Sequence, residues 1–131
     1  MKAAFRVVLI ALFVCASMTY AENKKVTGVV YEDLNRNNKF DKNEPGVAGV
    51  LVSNQIEVVK TDRSGKYELP AREEMIVFIT KPAGYSLPLN DEKLPQFYYI
   101  HQPNGSPDGL RFDGIPATGK LPKQVNFALH K

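Results

Sequence analysis

The side chains best placed to do chemistry lie in Asp33-Leu34-Asn35-Arg36-Asn37-Asn38-Lys39-Phe40-Asp41-Lys42-Asn43-Glu44. Oxygen-bearing groups fall at the first, third, fifth, ninth and twelfth positions of this stretch. A twelve-residue loop that wraps calcium has this spacing. Its positions 1, 3, 5 and 9 give side chains or a water, position 7 a carbonyl, and position 12 a bidentate carboxylate. On this reading Asp33, Asn35, Asn37, Asp41 and Glu44 supply side-chain oxygens or anchor a water. Lys39 lends its backbone carbonyl and turns its ammonium outward. Asn38 stands at the sixth position, where glycine usually makes the sharp turn, and asparagine tolerates a left-handed backbone better than most residues. Structural calcium is the expectation; the alternative is a polar surface loop, since Asn and Asp are ordinary turn residues.

The elements that hold this loop read as strands. Lys25–Tyr31 is rich in β-branched residues, and Val47–Val52 is a second apolar run beyond the turn-making Glu44-Pro45-Gly46. The loop therefore joins two strands, unlike the helix-flanked loop of an EF-hand. No segment sustains a helical period. Short apolar runs alternate with Gly, Pro, Asn and Asp, the pattern of an all-β sandwich or barrel. Seven strands are predicted: Val26–Tyr31, Gly49–Ser53, Glu57–Thr61, Lys66–Leu69, Met75–Thr80, Phe97–His101 and Val125–Leu129. Thr61-Asp62-Arg63-Ser64-Gly65 is expected to close a hairpin between the third and fourth, with Gly65 at positive φ. Tyr67 and Leu69 should face inward, with Lys66 and Glu68 outward. Val125, Phe127 and Leu129 share one face of the last strand, opposite Gln124, Asn126 and His130.

Met1–Ala21 has the form of a secretory signal peptide. Lys2 and Arg6 precede the apolar run Val7–Val14, and Thr19-Tyr20-Ala21 offers a cleavage site. The run is too short to span a bilayer. Leu12-Phe13-Val14 before Cys15 lacks the small residue that lipidation wants. The organisation expected is 1–21 as signal peptide and 22–131 as one β-sandwich module carrying the loop 33–44. Such a protein is exported, to the periplasm or the exterior, with no membrane span after cleavage. Losing Lys2 and Arg6 lowers the formal charge from +3 to +1 and removes any basic-patch argument for a nucleic-acid partner. It also leaves no cysteine and hence no disulfide, so a bound ion is one remaining source of stability.

From Lys81 to Pro122 runs a long proline-rich excursion, of a length usually reserved for function or for packing against something. It carries Tyr85, Phe97, Tyr98, Tyr99, His101 and Phe112, an expected interaction surface or, alternatively, a cap on one end of the sandwich. Nucleophilic catalysis has little to work with: Ser64 and Ser106 sit in turns and no Gly-x-Ser-x-Gly elbow occurs. His101 reads as a structural histidine and His130 as a solvated one. Gly105–Gly109 follows no strand–helix context, so it reads as a loop and not a phosphate cradle. Catalytic residues are therefore expected to be absent.

Three segments together resemble known groups. Gly28–Asn37 with Glu44–Val52 is similar to the calcium-binding B-type repeats of bacterial surface adhesins. Thr61–Pro70 resembles the wider prealbumin-like, immunoglobulin-like sandwiches. The whole length, including Lys81-Pro82-Ala83-Gly84-Tyr85 and Phe97–Pro103, is most similar to the N-terminal domain of calcineurin-like metallophosphoesterases. That resemblance implies a prealbumin-like sandwich of about seven strands with a long proline-rich loop region. It also implies a partner, a C-terminal metallophosphoesterase domain in cis or split off. Its two-metal site would need several His, Asp and Asn ligands, in motifs such as Asp-x-His and Gly-Asn-His; only His101 and His130 occur, in neither context. Adhesin-like domains can also carry a Lys–Asn cross-link, for which Lys25, Asn126 and Glu68 or Glu74 are the candidates.

Overall fold

The computed structural model describes residues 24–107, 109 and 113–131. The expected signal peptide 1–21 and Phe112 lie outside them. All seven predicted strands form, as β1 (Lys25–Glu32), β2 (Leu51–Ser53), β3 (Val58–Lys60), β4 (Lys66–Pro70), β5 (Met75–Ile79), β6 (Tyr98–His101) and β7 (Phe127–Leu129). They build two sheets, ordered β4-β1-β7 and β3-β2-β5-β6. The fold is an all-β sandwich, and no described helix is long and apolar enough to cross a membrane.

Period-two alternation sends one side chain in two to the space between the sheets. Val26 and Val30 of β1, Val52 of β2, Tyr67 and Leu69 of β4, Val77 of β5 and Leu129 of β7 meet there. Each such side chain contributes about 1.5–3 kcal/mol relative to exposure. Tyr67 also donates its hydroxyl to the Val125 carbonyl at 2.6 Å. A buried phenol needs such a partner.

The second half of β1 is buried on both faces. Val29, Tyr31 and Ala128 form a separate cluster on the outer side of the first sheet. There the Phe40 ring packs on Tyr31, their centroids 5.0 Å apart, so the loop after β1 folds back as a cover.

The expected β3–β4 hairpin is corrected. Its turn chemistry is present: Gly65 donates to the Asp62 carbonyl at 3.0 Å and has φ +74°. The strands nevertheless part, β3 pairing with β2 and β4 with β1. Gly65 is drawn onto β1, its carbonyl accepting from Val30 N–H at 2.8 Å. A Cβ there would overlap the Val30 carbonyl oxygen, so glycine is required by space as well as by φ. The turn thus carries the chain from one sheet to the other.

Parallel pairing of β7 with β1 fixes the two ends of the sandwich. At the near end β1 runs into the loop 33–44, and Val47 N–H returns to the Val30 carbonyl at 2.8 Å before β2 begins. At the far end lie Lys24, Pro70, Met75 and His101: Lys25 pairs with Pro70 and Met75 with His101.

Candidate metal centre

The loop closes on itself through its own oxygens. Asp33 follows β1 and donates its N–H to the Leu129 carbonyl at 2.9 Å, so the first position is anchored by the central strand β1 and the edge strand β7. Its carboxylate Oδ1 accepts from Asn37 N–H at 3.2 Å and Oδ2 from Asn38 N–H at 2.8 Å. Asn35 Oδ1 accepts from Asn37 N–H at 3.1 Å, and Asn37 Oδ1 from Lys39 N–H at 2.7 Å. Glu44 spans the loop mouth, Oε1 accepting from Leu34 N–H at 3.1 Å and Oε2 from Asp41 N–H at 2.9 Å. These short-range bonds force tight curvature, and Arg36 and Asn38 both turn left-handed, with φ 59° and 58°. Asn38 thus takes the glycine-like conformation its position demands; the same conformation at Arg36 has no signal in its residue type.

Five of the predicted positions share this cluster. The Nδ2 groups of Asn35 and Asn37 both donate to Asp41 Oδ2 at 2.8 Å, which places positions 3, 5 and 9 side by side. Asp33 and Glu44 hold the buried side of the loop, at 3% and 7% exposure. The Lys39 carbonyl makes no hydrogen bond to another described residue.

Electrostatics asks for a cation here. No Lys or Arg pairs with Asp33, Asp41 or Glu44 among the described residues. Tyr31 registers the imbalance: burial first, then the charges of Asp33, Glu44 and Asp41, push its phenol well above the ordinary range. Burial alone would raise the Asp33 carboxyl. The N–H groups of Asn38, Arg36 and Asn37, with His130 beside it, outweigh burial and hold it below its usual value. The charged form of the carboxylate is therefore favoured.

Among the described residues no three His, Cys, Asp or Glu side chains converge as a ready metal cluster. Two of the loop's five donors are amides, which lie outside that set and which now turn nitrogen toward Asp41. Each amide oxygen accepts from a backbone N–H, of Asn37 and of Lys39, and keeps a second lone pair. The oxygens the loop can offer come from three carboxylates, two amides and a free carbonyl. That suits a hard cation and not a soft one.

His130 was missed by the sequence reading, which leaves it solvated. Its side chain is largely buried and its Nε2 stands 3.6 Å from Asp33 Oδ2, on the side of the carboxylate already engaged by Asn38. The alternation of β7 gave no hint of this contact, because it depends on β7 lying beside β1.

The expected interaction surface is divided. Tyr85, Phe97 and Tyr99 pack half-buried against the main core. His101 is buried, because its register partner Met75 faces inward. Tyr98 alone is exposed, at 43%, its ring edge-on to Phe97. Tyr98 instead joins a different apolar surface, with Phe78, Ile76, Ile100, Val58 and Leu51 on the outer face of the second sheet. Of the cross-link candidates, Lys25 Nζ pairs with Glu68 at 2.6 Å, whereas Asn126 Oδ1 accepts from the N–H of Val29, further along β1.

Comparison with known proteins agrees with this architecture. The chain is 29% identical over 108 residues to Serine-aspartate repeat-containing protein C of Staphylococcus aureus strain Newman, and equally to that of strain USA300. The match covers 76% of this chain and 10% of the relative, so the chain spans about a tenth of those proteins. The family model described as the N terminal of calcineurin-like phosphoesterase matches residues 34–116, from the loop after β1 through most of the proline-rich excursion. The chain belongs to this family of phosphoesterase N-terminal domains.

Proposed function

We propose that the chain is a non-catalytic, calcium-stabilised accessory domain of an exported calcineurin-like phosphoesterase. The observation that carries the reading is the loop itself. Asp33, Asn35, Asn37, Asp41 and Glu44 stand in one self-bonded cluster, two of its carboxylates buried and none paired with Lys or Arg among the described residues. Calcium bound there would neutralise those charges and lock the loop over Val29, Tyr31 and Ala128. The ion's part would be structural, with Asp33, Asn35, Asn37, Lys39, Asp41 and Glu44 as the residues that would hold it. Phosphoester hydrolysis would belong to a following domain, and the outer face bearing Tyr98 and Phe78 is the surface we assign to contact with it.

Calorimetry tests the metal. One calcium should bind with a dissociation constant of about 10⁻⁴ M or tighter, and Glu44→Gln should remove most of the heat. Equal uptake by both proteins would rule the loop out as the site. The purified chain should hydrolyse no phosphate ester with manganese, iron, zinc or calcium; turnover lost on mutating His101 would overturn the non-catalytic assignment. A second reading, a surface adhesion or carbohydrate-binding module, is favoured by the match to the serine-aspartate repeat protein. Binding of cell-surface glycans through Tyr98, without any phosphoesterase partner, would select it.

A further inference from the structure

The far end of the sandwich holds a groove of about 1600 Å³ that the calcium reading does not use. It opens between the β4–β5 turn, the start of β1 and the connection from β6 to β7. Ala71 and Leu121, both packed against the core, give it an apolar floor.

His101 is the polar group of that floor. It is 7% exposed, and its Nδ1 is buried with no hydrogen-bond partner. A buried ring nitrogen without a partner is costly and uncommon. Its register partner across the sheet is Met75, which leaves that nitrogen unanswered.

The rim is mixed in charge. Lys24, Lys120 and Lys123 line it, and none pairs with a carboxylate among the described residues. Glu73 and Glu74 line it as well, on the β4–β5 turn. An anionic group would be drawn to the three lysines, while a second negative charge on the same ligand would meet the glutamates and be repelled. A groove with an apolar floor and a few convergent polar groups is the usual form of a small-ligand site.

We infer that this groove binds a small organic anion, a carboxylate or a phosphate monoester with a single charged end. Its charge lies against Lys24, Lys120 and Lys123, its apolar body lies on Ala71 and Leu121, and one of its oxygens bonds the His101 ring. The site is independent of calcium, which binds at the opposite end.

The test is an NMR titration of the exported product of the full chain, following the His101 imidazole signals. Benzoate and phenyl phosphate are the two anionic probes, benzyl alcohol the neutral one, and terephthalate the probe charged at both ends. Saturable shifts at His101 with either anion, and none with benzyl alcohol, are expected; which anion binds tighter separates the carboxylate from the phosphate source. Terephthalate should bind more weakly than benzoate. The double variant Lys120→Glu/Lys123→Glu changes exposed residues only, should melt as the parent does, and should lose about tenfold in affinity, the equivalent of about 1.4 kcal/mol. His101→Gln keeps a polar group and should retain partial binding. Absence of saturable shifts at His101, equal binding of the neutral probe, or unchanged affinity in the charge-reversed variant would each overturn the site. Calcium calorimetry on the same samples reads the loop separately, so failure of one assignment is distinguishable from failure of the other.

Discussion

The two ends of the sandwich carry opposite kinds of polar chemistry. At the near end, carboxylates and amides bond to one another and to neighbouring N–H groups, two of the carboxylates are buried, and no lysine or arginine answers them. At the far end, lysines without carboxylate partners rim an open groove around one buried histidine. The near end is specified by consecutive residues, whereas the far end is assembled from four separate parts of the chain. A local cluster suits an ion, which needs many donors in a small sphere. A groove assembled from distant segments suits a larger ligand with distinct ends.

The contrast is open to attack at three levels, the strongest first. Gly65→Ala should be the most damaging change, because the new Cβ meets the Val30 carbonyl and the residue must keep φ +74°. The loss is about 3 kcal/mol or more. Each kcal/mol moves the melting midpoint of a domain this size by about 4–8 °C. Calorimetry showing a near-normal midpoint would mean that the near end is not held by backbone packed on backbone. Calcium comes next. At about one hundred times the dissociation constant it should add roughly 2.7 kcal/mol, a melting shift on the order of ten degrees or somewhat more. The shift should vanish with chelator or with Glu44→Gln and persist in the far-end variant Lys120→Glu/Lys123→Glu. A shift lost in the far-end variant would join the two ends and end the comparison.

Acid should produce the smallest effect of the three. Asp33 has a folded-state pKa below its ordinary value, so its contribution is fully present above the unfolded carboxyl's range, about 3.9. It is lost as pH falls through the lower, folded value. Metal-free protein should therefore lose melting temperature on acidification below about pH 4, and Asp33→Asn should flatten that part of the curve. An identical acid profile in the variant would remove Asp33 from the account.

Much of this was legible because it is local. Spacing alone assigned Asp33, Asn35, Asn37, Asp41 and Glu44 to one cluster, and Asn38 to the left-handed position, since short-range bonds decide both. Alternation located every strand and turned Tyr67 and Leu69 inward. The same local logic failed where a partner strand decides. The turn at Gly65 had the residues of a hairpin and became a crossover, because β1 offers Val30 to its carbonyl. Tyr99 and His101, drawn as surface from composition, are turned toward the core by β5, whereas the preceding Tyr98 faces out.

Residue types and their spacing dictate that the chain is built of short strands and that one stretch gathers oxygens at cation-binding intervals. Both follow from periodicity and from side chains reaching backbone only a few residues away. It took the packing of strand on strand to lay Phe40 over Tyr31 and to set His130 behind Asp33. The same packing gathers Lys24, Lys120 and Lys123 around His101. Those placements follow from β7 running parallel to β1 and from β6 pairing with β5, contacts between residues as distant as Val30 and Phe127, which no local pattern of residue types encodes.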